Sequence, residues 1–151
     1  MEMLPVDRGV VGVWRWTGVG VAAAATVGSS IFGLRLGGIS GAALPLVVFV
    51  AGLLIAWLYP AAYYRRLRYG VDETGLLIQS GLLWRSQHAL PRARIQHSDV
   101  AQGPLERRYG VGTLKLYTAG SRHTKIELPG LAHAEALALR DALLARDGSG
   151  V

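Results

Sequence analysis

The sequence predicts a membrane-spanning α-helical hairpin followed by a small, mostly β domain of about six or seven short antiparallel strands, a barrel or orthogonal sandwich capped by one C-terminal helix. Three observations carry this. Trp16–Leu34 and Leu36–Tyr64 contain no charged residue over 19 and 29 positions. From Arg68 to Leu128, apolar and polar residues alternate in short runs broken by Gly and Pro, the period of half-buried strands. Leu131–Arg146 is rich in Ala and Leu, which are strong helix formers. The expected division is a leader at 1–15, a two-span hairpin at 16–64, a domain at 65–147 and a frayed tail at 148–151.

The leader carries Glu2, Asp7, Arg8 and Arg15, whereas a secretory signal begins with positive charge and no acids. At 1.5 Å per residue the first span reaches roughly 28 Å, about the thickness of a hydrocarbon core. Gly18, Ala22, Ala25, Ser29 and Gly33 fall on one face of it. Small residues admit close approach of another backbone, either the second span or another subunit. Arg35 to Gly41 is turn material. The second span is clearest over Ala43–Leu58, with Pro45 near its start and Pro60 expected to help end it. Trp57, Tyr59, Tyr63 and Tyr64 form an aromatic belt. Arg65, Arg66 and Arg68 follow at once, against Arg35 alone between the spans. Positive residues stay inside, so both termini and the domain are expected on the cytoplasmic side of the membrane.

In the domain, Gly75–Gln79 and Leu82–Leu90 flank Ser80-Gly81, a hairpin-turn signal. Leu82, Trp84, Ser86, His88 and Leu90 share one face of the second of these strands. Arg94–Gln102 reads as a further strand. Gly112–Thr118 sends Leu114 and Leu116 inward, Lys115 and Tyr117 outward. After a turn over Ala119–His123, Thr124–Leu128 answers with Ile126 and Leu128 inward, and Pro129-Gly130 closes the strands. In the terminal helix Arg140 interrupts the apolar stripe, so it must reach solvent or pair with a carboxylate.

Composition narrows the chemistry. The absence of Cys excludes disulfides and thiolate catalysis. The net charge is +6, and residues from 65 onward hold thirteen Lys+Arg against eight Asp+Glu. For a domain tied to a bilayer, anionic headgroups are the nearest partner for that excess, and nucleic acid is not expected.

Residues 102–113 carry the most specific pattern. Gly103-Pro104 ends a strand, Leu105–Tyr109 suits one helical turn with Pro at its start, and Gly110 and Gly112 permit tight re-entry into a strand. Gln102-Gly103-Pro104-Leu105-Glu106-Arg107, with Leu90-Pro91, Arg94-Ile95-Gln96, Tyr109-Gly110-Val111-Gly112-Thr113 and Thr118-Ala119-Gly120, resembles the bacterial pleckstrin-homology-like (PH-like) domains of the YdbS type, a membrane-flanked family. The resemblance implies a PH-like barrel of seven strands closed by one helix, and no reaction. Many eukaryotic pleckstrin-homology domains bind phosphoinositides through a basic loop between their first strands. The matching place here, Val71-Asp72-Glu73-Thr74-Gly75, is acidic, so that binding mode is not implied.

The chain has no HExxH, no nucleophile elbow and no Walker loop. Gly110-Val111-Gly112 lacks the third glycine of a dinucleotide site. His97 and Asp99 share a strand face without a third ligand, so neither a metal nor a cofactor is expected. His88, His123 and His133 read as solvated. The expected function is non-catalytic: protein interaction or assembly at the cytoplasmic membrane face, with a homo-oligomer or a partner membrane protein. Two alternatives stay open, a sensor of anionic lipid and an accessory subunit of a membrane enzyme or transporter. Arg65, Arg66 and Arg68 are candidate lipid contacts by position, Arg94, Arg107 and Arg108 by their place in the motif.

Overall fold

The structure, a computed structural model, describes residues 2–118 and 125–145; Gly120, the turn over Ala119–His123, Arg146 and the tail at 148–151 lie outside them. The chain divides into two compact units, residues 11–62, and residues 1–10 together with 63–151.

The first unit is the hairpin. Helices α1 (Gly9–Leu36) and α2 (Gly38–Tyr64) have 28 and 27 residues. Both are long and apolar enough to cross a membrane, and only 11% of each apolar window is buried. The core helix of a water-soluble fold would bury far more. The link is tighter than the sequence suggested: Gly37 alone separates the helices, and Gly37 and Gly38 take φ of +66° and +64°, which glycine adopts without strain. The small-residue row of α1 meets α2. Gly18 faces Ala56, Ala22 faces Gly52, and a Cβ on Gly33 or Gly41 would run into the other's carbonyl. On the other side of α1, Gly20 and Gly28 meet nothing within 4 Å. Helix α2 runs through both Pro45 and Pro60, so Pro60 does not end it. Each proline ring removes one backbone donor, and the ladder continues past both. Arg15 stacks over Trp57 with its guanidinium carbon 4.2 Å from the ring centre.

Among the described residues the second unit holds seven antiparallel strands in two sheets. One runs in the order β1 (Leu4–Pro5), β2 (Arg68–Val71), β3 (Gly75–Ser80), β4 (Ser86–Pro91), the other β5 (Ile95–Ala101), β6 (Val111–Thr118), β7 (Lys125–Ala132). A short helix α3 (Pro104–Arg108) links β5 to β6, and α4 (His133–Leu144) follows β7. The first strand comes from before the hairpin. Leu4 lies opposite Tyr69 and Pro5 opposite Arg68. Val6 and Val10 are buried, and the Asp7 N–H donates to the Gly130 carbonyl at 2.6 Å. Residues 1–10 are thus built into the domain that resumes 53 residues later, at Tyr63.

The strand parity follows the sequence. Leu76 and Ile78 of β3, Leu114 and Leu116 of β6 and Leu128 of β7 are buried, and α4 adds Ala136 and Leu143. Ile126, opposite Leu116, is only half-buried and lines a recess of about 180 Å³ with Tyr63, Leu67 and His88. Arg140 pairs with Asp141, Nε–Oδ1 2.8 Å and Nη2–Oδ1 2.7 Å. The Tyr69 hydroxyl donates to Glu135 Oε1 at 2.5 Å, joining β2 to α4. Burial first, then that hydrogen bond, holds the phenol well above its usual range.

Three further elements, all in the second unit, differ from the sequence reading. The β3–β4 turn is not Ser80-Gly81 but a five-residue loop, 81–85, that carries Leu82 and Trp84 out of the strand. Pro129-Gly130 does not close β7. The strand continues to Ala132 through an irregularity at which Thr113 faces Pro129 and Gly112 faces Leu131. Gly130 is the extra residue, at φ +81°, and a bulge accommodates a proline that cannot donate to the ladder. Helix α4 consequently begins at His133, and Leu131 belongs to the strand and is fully buried.

Candidate functional site

The motif residues build a turn held together from within. Gln102 Nε2 donates to the Val111 carbonyl at 2.9 Å. Glu106 accepts from the Gly103 N–H at 2.7 Å through Oε2 and from the Thr113 hydroxyl at 2.7 Å through Oε1. Pro104 opens α3, where its missing N–H costs nothing. Gly110 accepts the His133 N–H at 3.0 Å, fixing the start of α4. Ile95 and Gln96 belong to β5, and Thr118, buried at the end of β6, pairs with Ile95. These roles are structural. Glu106→Ala is expected to lower domain stability by about 1–3 kcal/mol, the cost of leaving the Gly103 and Thr113 donors unpaired. Thermal unfolding of the full chain in detergent measures it.

The arginines separate into groups. Arg94 ends a 3₁₀ turn (Arg92–Arg94) just before β5, whereas Arg107 and Arg108 lie on α3 just beyond it. The seven residues of β5 hold them roughly 20 Å apart, too far to share one anion. All three are exposed. Arg66 and Arg68 do share a site. With Arg85, Gln79, Ser80 and Gln87 they line a recess of about 230 Å³. Arg66 Nη1 also donates to the Leu82 carbonyl at 3.0 Å. Arg65 is exposed beside them. The sequence reading missed Arg85, whose only signal is its place after three apolar residues in the loop.

The acidic β2–β3 turn uses its own carboxylate. Asp72 accepts from the Thr74 hydroxyl, from the Thr74 N–H at 2.8 Å and from the Gly75 N–H at 3.1 Å. The Thr74 hydroxyl, then its N–H, hold the Asp72 carboxyl below the usual range. His97 and Asp99 are exposed on β5, opposite Tyr117 and Lys115. No group of three or more potential metal ligands occurs among the described residues. His88 and His133 are half-buried rather than solvated, and His123 lies outside the described residues.

The model of the family described as the bacterial PH domain matches residues 14–147. The chain belongs to the bacterial PH domain family. The match begins beyond β1, so the strand contributed by the leader lies outside it. The transmembrane protein YdbS of Bacillus subtilis (strain 168) is 33% identical over 97 residues, 64% of this chain and 59% of that protein's length. No solved structure matches. Neither the family's description nor the relative's name specifies a reaction. The two apolar helices, the PH-like domain and a transmembrane relative together describe a membrane-associated PH-like module.

Proposed function

We propose that this module is non-catalytic, crosses the bacterial cytoplasmic membrane twice with both termini inside, and gathers a partner membrane protein or further copies of itself at the cytoplasmic face. The observation that carries the reading is the pairing of Leu4–Pro5 with Arg68–Tyr69 in one sheet. Both ends of the hairpin enter a single folded unit, so a membrane-inserted hairpin leaves both on one side. The three arginines after Tyr64 against Arg35 alone between the spans favour the cytoplasm as that side. Each boundary cation near an anionic surface contributes about 1 kcal/mol and falls off within a Debye length. Arg65, Arg66 and Arg68 therefore orient the domain without selecting a headgroup. The separation of Arg94 from Arg107 and Arg108 favours a protein partner over a selective headgroup pocket in that region. With the Gly18–Gly33 face packed on α2, the side of α1 bearing Gly20 and Gly28 is the one left open to a neighbour in the bilayer.

Reporter fusions after Val151 and within 37–41 are expected to report opposite sides, with the C-terminal one cytoplasmic. An external C-terminal reporter contradicts the topology. Full-length protein extracted in mild detergent is expected to sediment as more than one chain, with itself or with a membrane partner at fixed stoichiometry. A single-copy particle that binds one headgroup saturably, abolished by Arg107→Gln, contradicts assembly and establishes the lipid sensor. A stable membrane enzyme or transporter in the complex establishes the accessory subunit.

A further inference from the structure

The β3–β4 loop presents two large apolar side chains to solvent. Leu83 is 89% exposed and Trp84 85%, while among the described residues no other large apolar side chain outside the hairpin exceeds 42%. Scattered apolar residues on a surface are ordinary. An adjacent Leu–Trp pair at a loop tip, with exposures matched only within the spans, is different. The geometry is fixed: a Cβ on Gly81 would run into the Trp84 carbonyl, so the loop closes on a bare glycine and carries Leu83 and Trp84 outward. Arg66, Arg68 and Arg85 surround the recess at its base. The hydrogen bond from Arg66 to the Leu82 carbonyl ties the loop to a residue two positions past the end of α2.

We propose that this loop is a second attachment to the bilayer that the hairpin crosses: Leu83 and Trp84 enter the boundary between headgroups and acyl chains, and Arg66, Arg68 and Arg85 receive lipid phosphates around its base. The proposal rests on the two-span reading. Each part suits its depth. An indole favours the interface, where its ring is shielded and its N–H stays wet. Leucine favours the acyl boundary, and arginine pairs with phosphate through a planar fork. Arg66 stands two residues past the second span and bonds the Leu82 carbonyl, so the chain path from the span to the loop it holds is short. A tip inserted there fixes the domain's rotation about its tether, which the two chain connections alone do not.

The chain has no cysteine, so single substitutions label one site each. Full-length Leu83→Cys, Val47→Cys and Glu73→Cys are labelled with an environment-sensitive fluorophore and placed, one copy per disc, in nanodiscs of phosphatidylcholine with or without phosphatidylglycerol. Val47 is an exposed residue of α2 and Glu73 lies in the turn at the other end of β3. With phosphatidylglycerol, the Leu83 label is expected to be quenched by shallow lipid-borne nitroxide and to be several-fold less sensitive to aqueous iodide than the Glu73 label. Arg66→Gln with Arg85→Gln is expected to return it towards the Glu73 value. If the Val47 label is lipid-quenched while the Leu83 label is as open to iodide as the Glu73 label, the attachment is wrong and the hairpin stands. A Leu83 label shielded from iodide yet untouched by lipid nitroxide means that protein covers the tip, which also overturns the proposal. A Val47 label without lipid quenching removes the two-span reading itself.

Discussion

Leu116→Ala is expected to destabilise the domain by about 2–5 kcal/mol, the range for truncating a buried leucine whose cavity cannot fully collapse. Leu116 is fully buried in the middle of β6, between Ser98 of β5 and Ile126 of β7. β6 is the central strand of its sheet, with a ladder on either side, which limits relaxation. Lys115, one residue away, points to the other face of the sheet between Asp99 and Glu127. Its replacement by Ala is expected to cost about 0.5 kcal/mol or less, as substitutions off the core face do. Denaturant unfolding of the full chain in detergent, read by amide exchange in β6, compares the two. Equal losses would contradict the strand parity.

Gly130→Ala has the second largest expected effect, and a distinctive one. Gly130 sits at φ +81° in the irregularity of β7, and its carbonyl accepts the Asp7 N–H. An added Cβ would lie 2.8 Å from Val10 Cβ and 2.9 Å from both of its methyl carbons. Left-handed backbone costs a residue with a Cβ about 1–2 kcal/mol, and overpacking about 1–3 kcal/mol more. The loss is expected to concentrate on residues 4–10, since they dock there. Amide exchange should accelerate at Asp7 well before it does in β6. Uniform acceleration across the domain would show that the leader is not held at Gly130.

The hairpin was legible because charge is expensive in lipid, and a chain folded in water rarely goes without it over two such long runs. Strands β6 and β7 were legible because one face is dry and the other wet, and the motif around Glu106 because its Gly and Pro positions demand one particular turn. What escaped the sequence has physical reasons. Strand β1 is two residues long, too short for any periodicity, and its partner lies beyond the whole hairpin. Its only trace was apolar Leu4, Val6 and Val10 in a charged leader. The 81–85 loop escaped because Leu82 and Trp84 keep the parity of β4, and alternation cannot tell a side chain facing a core from one facing outward. Pro129-Gly130 looked like a stop because a ladder must normally end at a proline, yet a glycine at positive φ lets the strand step past it. Of the arginines that share a recess, Arg85 is separated in sequence from Arg66 and Arg68 by β3 and is brought to them by the β2–β3 register and the bond from Arg66 to the Leu82 carbonyl.

The central claim is that residues from both sides of the hairpin complete one sheet. Pro5 and Arg68 are exposed partners across the β1–β2 pair, and the native chain has no cysteine to interfere. Pro5→Cys with Arg68→Cys in the full-length protein, oxidised mildly in native membranes, tests this most directly. The account predicts an intramolecular disulfide that forms rapidly, in high yield and independently of protein concentration, and that a Pro5→Cys/Lys115→Cys pair does not form. Failure of the first pair to close, or closure only between chains, would contradict it.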